Sequence, residues 1–183
     1  MKHKTEFKWI ITITLISVAA STVFSLISSE VLEGAGYFMA VALLLAFILV
    51  GIMFDMLGVA VTYAREAPFH SMASRRVRGA AEAIRLVRRS ERVASICNDV
   101  VGDISGIVSG ATAAVIAANF TRDLGASGVV TQLLVTALVA ALTIGGKALG
   151  KIAASNKNTE IVLLAGRFLS FFPHKKKKKK SKE

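Results

Sequence analysis

The sequence predicts an all-α fold: a polytopic membrane helix bundle of about four transmembrane helices with a basic, amphipathic juxtamembrane helix region. Three observations predict it. Of the 183 residues, 54% are hydrophobic, and the mean hydropathy is +0.59, more apolar than a soluble domain of this length. Continuous apolar runs come close to the roughly 20 residues that a helix needs to cross the bilayer core. The net charge of +11 is gathered into particular segments between and after those runs. In a membrane protein such clusters set orientation before they say anything about nucleic acid.

The elements follow in order. Residues 1–8 are short and basic, and Trp9 to about Ser28 is the first apolar run. Its start also has the look of a secretory signal, with small residues at Ala19 and Ala20, so a retained helix and a cleaved leader both fit. Residues 29–37 form a turn with two glutamates and no Lys or Arg. The second run goes from Phe38 to about Ala64 and is interrupted by Asp55; Gly51 and Gly58 give it a face for close helix approach. Pro68 disfavours helix at Ala67 and marks the exit.

Residues 71–92 differ in kind. Val77, Ala80, Ala81, Ile84 and Val87 recur at helical spacing, while Arg75, Arg76, Arg78, Arg85, Arg88, Arg89 and Arg92 fill much of the rest. That pattern predicts a basic amphipathic helix or helix pair at a membrane surface. The third run, Val93 to Phe120, has Gly102, Gly106 and Gly110 four apart, a small-residue series suited to tight packing. A turn at 121–128 leads to the fourth run, Val129 to about Leu149. Ile161 to Leu164 with Phe168, Leu169, Phe171 and Phe172 suggest an interfacial helix, and Lys175 to Lys180 form a lysine run.

Excess Lys and Arg stay cytoplasmic. Four spans with both termini inside put the basic 65–92 segment and the tail on the cytoplasmic side and the acidic 29–37 turn outside. The expected location is the plasma membrane.

This topology brings intramembrane polar groups to one depth. Asp55 stands ten residues before Arg65, roughly 15 Å from that end of its helix; Asp99 and Asp103 stand seven and eleven residues after Arg92, roughly 10 and 16 Å along theirs. Lys147 is four residues before Lys151, about 6 Å up. Ionisable groups at membrane depth usually line a pathway or a binding site. Two readings stay open. Asp55, Asp99 and Asp103, with Asn98 as a neutral oxygen ligand, could hold a divalent cation against Lys147 as counter-charge. Alternatively, Asp55 or Asp99 pairs with Lys147 and the remaining carboxylate is protonated or wet.

The order of parts resembles the transmembrane domain of the cyclin-M (CNNM) and CorB/CorC family of magnesium and cobalt transport proteins, across about residues 45–173. Phe54-Asp55-Met56-Leu57-Gly58-Val59-Ala60 sits where the family has its serine-bearing F-S-G-S-E-T-A, and Cys97-Asn98 where it has Gly-Asn. Gly146-Lys147-Ala148-Leu149-Gly150-Lys151 sits where it has G-E-I-I-P-K, and 155–160 looks like the polar turn before its last helix. The resemblance implies a homodimer and a magnesium or other divalent cation held between spans, with Asn98 the retained ligand position. It departs at Asp55 and Leu57, which stand at serine positions, and at Lys147, which stands at the glutamate. Either the aspartates rebuild the site beside Lys147, or its ammonium takes the metal's place. No paired CBS domains follow Pro173. The implied organisation is an additional helix and outer loop over 1–36, a family-like membrane domain over 37–173 with juxtamembrane helices at 69–92, and a polybasic tail at 174–183.

Other features point away from other functions. The tail and the arginine cluster suit anionic lipid headgroups. No aromatic platform or groove-reading motif accompanies the basic residues, so no nucleic acid partner is expected. His3, His70 and His174 are scattered beside basic residues, Cys97 is the single cysteine, and no nucleophile–base pair, phosphate loop or zinc spacing occurs, so no enzyme activity is expected. The class competing with transport is a non-transporting membrane scaffold or regulator.

Overall fold

The computed structural model describes residues 2–32, 36–124 and 127–171. The polybasic tail 174–183 lies outside the described residues, as do 33–35 and 125–126 in the two turns. The described chain is helical throughout, with no strand among the described residues. It contains α1 (Lys2–Leu32), α2 (Tyr37–Tyr63), α3 (Glu66–Ser74), α4 (Ala80–Val87), α5 (Ser90–Ser95), a π-helix (Ile96–Gly102), α6 (Asp103–Leu124), α7 (Gly128–Asn156) and α8 (Asn158–Leu169).

Four helical stretches are long and apolar enough to cross a membrane: Trp9–Leu26, Tyr37–Tyr63, Ser90–Asp123 and Gly128–Asn156. The third begins earlier than hydropathy alone suggests, because α5, the π-helix and α6 run on without a break. The basic region is a chain of short helices, α3, α4 and α5, instead of one helix or a pair. Pro68 does not mark the exit from α2. The break falls at Ala64 and Arg65, whose ψ angles of 140° and 147° are extended, and Pro68 lies in the first turn of α3. A first-turn N–H has no intrahelical partner, so proline is tolerated there.

α2, α7 and the third span (the π-helix with α6) pack against one another, and α2 touches both of the others most. Glycines make both approaches close. A Cβ at Gly51 would stand 3.1 Å from Ser105 Cβ, and one at Gly150 would stand 2.7 Å from Met56 Cγ. The Gly102, Gly106, Gly110 series does not behave as expected: Gly106 and Gly110 face open space, so no helix of this chain uses them for tight packing. The small residues in contact across α2 and α7 are Gly146 and Gly150.

The best-packed core lies at the basic end. Ala60, Val61, Phe69, Ala83, Ala154 and Val162 are all fully buried there, joining α2, α3, α4, α7 and α8. A second cluster at the opposite end joins Ala40, Leu44 and Ile48 of α2 to Ala113 and Ile116 of α6 and Val139 of α7. There the Tyr37 hydroxyl donates to Asp123 and the Tyr37 ring meets Phe120 edge-on, holding the ends of α2 and α6 together. α1 lies outside, packed on α6, with Ile13 and Ala20 against the Val100, Ile104 and Val108 cluster. Arg92 stacks over the Trp9 ring at 5.2 Å and ties the start of α1 to α5.

α4 crosses α8 backbone to backbone. Gly79 has φ +86°, in the left-handed region, and a Cβ there would stand 2.7 Å from Arg167 Cα; a Cβ on Gly166 would overlap the Gly79 carbonyl. Gly166→Ala is therefore expected to lower unfolding stability by about 1–3 kcal/mol, the range for overpacking against atoms that cannot move aside. Thermal unfolding in micelles checks it, and an unchanged midpoint would contradict the close crossing.

Glu66 joins α3 to the turn between α4 and α5: its Oε2 accepts from Arg88 at 3.0 Å and from His70 at 3.1 Å. These bonds, Arg88's first, hold the carboxyl below its ordinary value of 4.5. A carboxyl lowered on folding adds stability that is complete above its unfolded value and fades as pH falls through the folded one. The stability gap between the wild type and Glu66→Gln should thus be full well above pH 4.5 and narrow as pH falls below that value. Unfolding midpoints measured across that range read it directly.

Candidate functional site

Asp55 is the natural starting point, because it is a carboxylate inside the apolar central helix. Its side chain is 7% exposed, eight residues from the end of α2 and so roughly 12 Å inside it. The antiparallel pairing of α2 with the third span puts Gly51 beside Ser105 and Gly58 beside Asn98. Asp55 lies between these two levels. α7 runs parallel to α2 and packs on both it and the third span, with Gly146 at Ile52 and Gly150 at Met56, which brings Lys147 and Lys151 to the same layer.

The Lys151 ammonium stands 3.5 Å from Asp55 Oδ2. That is an ion-pair contact without hydrogen-bond geometry, since the same oxygen has no hydrogen-bond donor. Among the described residues, Lys147 pairs with no carboxylate. Its ammonium donates a long hydrogen bond, 3.4 Å, to the Gly102 carbonyl at the end of the π-helix. The counter-charge expected of Lys147 is therefore supplied by Lys151, one turn further along the same face of α7.

The stretch Ile-Cys-Asn-Asp-Val-Val-Gly is the π-helix itself. Such segments are rare and recur at functional sites. Here it turns Cys97, Val100 and Gly102 into the bundle and leaves Asn98 half-buried. Asn98 Oδ1 reaches toward Gly58, where a Cβ would stand 2.8 Å from Asn98 Cγ, so only glycine leaves room for the carboxamide. Asn98 Oδ1, like Asp55 Oδ2, is buried and has no hydrogen-bond donor.

Asp99 and Asp103 point elsewhere. Both are exposed on the outer surface of the span, four residues apart, and Asp99 accepts a 2.9 Å hydrogen bond from the Ser95 hydroxyl. Of the four candidate ligands, the structure brings Asp55 and Asn98 to the α2 interface and leaves Asp99 and Asp103 outside it. Among the described residues, no group of three or more His, Cys, Asp or Glu side chains is placed to hold a metal ion. The inner layer carries one carboxylate against two ammonium groups, an excess of one positive charge.

Other buried polar groups lack this character. Ser109 donates to the Ser105 carbonyl at 2.6 Å and Thr112 to the Val108 carbonyl at 2.9 Å, each bonding back one turn within α6. The six arginines expected at the membrane surface, Arg75, Arg76, Arg78, Arg85, Arg88 and Arg89, are all exposed at the basic end.

Two residues escaped the sequence reading. Lys151 looked like a marker of the helix end, although its spacing of four from Lys147 on a helix was a signal that both share one face. Gly58 looked like a general packing residue, and nothing in the sequence ties it to Asn98. Comparison of the chain with protein-family models, curated proteins and solved structures finds no match.

The pairing predicts an asymmetry between the lysines. Lys151→Met leaves the Asp55 carboxylate buried beside Asn98 and is expected to cost about 1–3 kcal/mol, discounted for the half-exposed ammonium. Lys147→Met removes one long bond to a carbonyl and should cost less than about 1 kcal/mol. Asp55→Asn combined with Lys151→Met should recover at least half of the single-lysine loss. Denaturant unfolding of the four proteins checks this, and equal losses at both lysines would contradict it.

Proposed function

We propose that this membrane protein handles a cation at the Asp55–Asn98 layer, and that its substrate is a divalent metal of the magnesium or cobalt class. One observation carries the reading. Asp55 Oδ2 and Asn98 Oδ1, acceptor-only oxygens on facing helices, are buried with no hydrogen-bond donor. A buried acceptor without a hydrogen-bond donor loses about 1–3 kcal/mol, of which the Lys151 ion pair offsets a part at Asp55, and a hard cation with its remaining waters is a ligand that oxygen donors of this kind accept. The order of parts supports it too: a span bearing Asp55, short basic helices, a span opening at Asn98, a span bearing Lys147, then a further helix.

The ammonium groups of Lys147 and Lys151 act as tethered cations in this layer. Metal entry requires at least one of them to withdraw, and Lys151, half-exposed, is the one with room to do so. Asp99 and Asp103 have their own role at membrane depth. Carboxylates there do not face lipid, so their surface faces water or a second copy of the chain. A homodimer across this face is part of the proposal, as is a plasma-membrane orientation with both termini and the basic helices on the cytoplasmic side.

The competing reading is a scaffold or regulator without transport, in which an ammonium permanently fills the metal position. The excess of ammonium over carboxylate in the inner layer favours it.

Magnesium, cobalt and manganese titrations followed by thermal shift separate the two. A ligand that binds the folded state alone raises its apparent stability. Transport predicts a metal-dependent shift that Asp55→Asn and Asn98→Ala abolish, together with loss of uptake into proteoliposomes by at least about tenfold, equivalent to about 1.4 kcal/mol. No shift in the wild type and none in Lys151→Met would sink the cation reading and leave the scaffold.

A further inference from the structure

A separate feature lies at the basic end, some distance along the chain from the Asp55 layer. A cleft of about 460 Å³ opens between α4, the start of α5 and the end of α8. That volume falls in the range of small-molecule sites, roughly 300–1,000 Å³. Its apolar wall is made by Leu86, Val93 and Leu169. Its rim carries Arg85, Arg88 and Arg89. The two kinds of surface meet at the level where the third candidate span begins, at Ser90.

The rim arginines differ in how they are used. Arg85 reaches Glu82 at 3.6 Å, and Arg88 is bonded to Glu66 at 3.0 Å. Arg89 has no carboxylate partner among the described residues. Its guanidinium stands over a cleft whose one lining carboxylate, Glu82, is engaged by Arg85. A planar fork of donors without a partner, beside an apolar wall at a bilayer boundary, fits a phosphate that carries a hydrocarbon chain. The apolar wall excludes a purely polar occupant as the best fit, and the uncompensated rim charge excludes a neutral one.

We propose that this cleft seats one anionic phospholipid, its phosphate on Arg89 with Arg85 beside it and its upper acyl chain against Leu86, Val93 and Leu169. A diffuse polybasic surface attracts any anionic headgroup, with each basic residue adding a similar increment. The cleft instead defines a single seat with both polar and apolar contacts. The same lipid touches α5, which is continuous with the π-helix, so its occupancy bears on the element that carries Asn98.

Native mass spectrometry of the full chain in detergent micelles tests this. The probes are phosphatidylglycerol, phosphatidylcholine with the same acyl chains, and glycerol 3-phosphate. The expected result is one phosphatidylglycerol adduct at about tenfold lower concentration than phosphatidylcholine, and no glycerol 3-phosphate adduct. Arg85→Gln with Arg89→Gln should remove the preference, while Arg75→Gln with Arg76→Gln, outside the cleft, should keep it. Leu86→Trp fills the cleft without altering charge and should also abolish the adduct, which guards against a fold defect in the arginine variant. A preference that survives both cleft variants, or that falls equally with Arg75 and Arg76, overturns the seat. Glycerol 3-phosphate binding as tightly as the lipid overturns it in favour of a soluble phosphate ester.

Discussion

Asp55 lies about 12 Å inside α2, where a carboxylate taken out of water costs several kcal/mol unless it is paired, and the surrounding helices are arranged around that charge. α7 approaches α2 closely because Gly146 and Gly150 present no side chain to Ile52 and Met56. That approach brings the Lys151 ammonium to 3.5 Å from the carboxylate. Toward the third span, Gly58 leaves space for the Asn98 carboxamide. The glycines and the charge are thus one design. Small residues let backbones converge, and convergence lets a half-exposed lysine reach a buried acid.

The π-helix divides the third span by function. Above it, α6 is an ordinary apolar helix whose Ser109 and Thr112 hydroxyls are satisfied within the helix. Within it, inward and outward residues carry different chemistry: Asn98 meets α2, while Asp99 opens outward to Ser95. The Gly102 carbonyl at its end accepts a long bond from the Lys147 ammonium. One lysine therefore faces a side-chain charge and the other a backbone carbonyl, although the two stand one turn apart on α7.

The membrane class, the all-α architecture and all four span positions were legible in the sequence, because apolar length and charge clustering depend on composition alone. The polar layer was legible as a set of residues at one depth, since depth follows from 1.5 Å of rise per residue. What could not be read was azimuth. Asp55 and Asp99 lie within about 5 Å of one another in depth at 1.5 Å of rise per residue, yet one faces the bundle and the other faces outward. Hydropathy does not fix which way a given residue of a span points, so a count of three aspartates overstated the negative charge inside. The same blindness applies to Gly106 and Gly110, whose spacing signals a packing face without saying whether that face meets another helix of the same chain. Pro68 was misread for a different reason. Proline's effect depends on whether it stands in a first turn, and the preceding break at Ala64–Arg65 carries no strong sequence signal.

The distribution of well-satisfied and poorly satisfied polar groups is itself informative. At the basic end, Phe69, Val61 and Val162 are fully buried, and α4 and α8 meet glycine to glycine, so that region is packed as tightly as a soluble core. A few turns away, Asp55 Oδ2 and Asn98 Oδ1 are buried without donors. Each such atom costs up to about 1–3 kcal/mol, less at Asp55 where the Lys151 ammonium stands 3.5 Å away, against a total domain stability of about 5–15 kcal/mol. Replacing Asp55 with leucine and Asn98 with alanine would remove both costs within an otherwise apolar helix pair. A chain that retains them next to a π-helix, beside two lysines, keeps its energetic deficit in one layer, while every other buried side-chain nitrogen or oxygen among the described residues has a hydrogen-bond partner. Deficits concentrated in this way are what binding can offset.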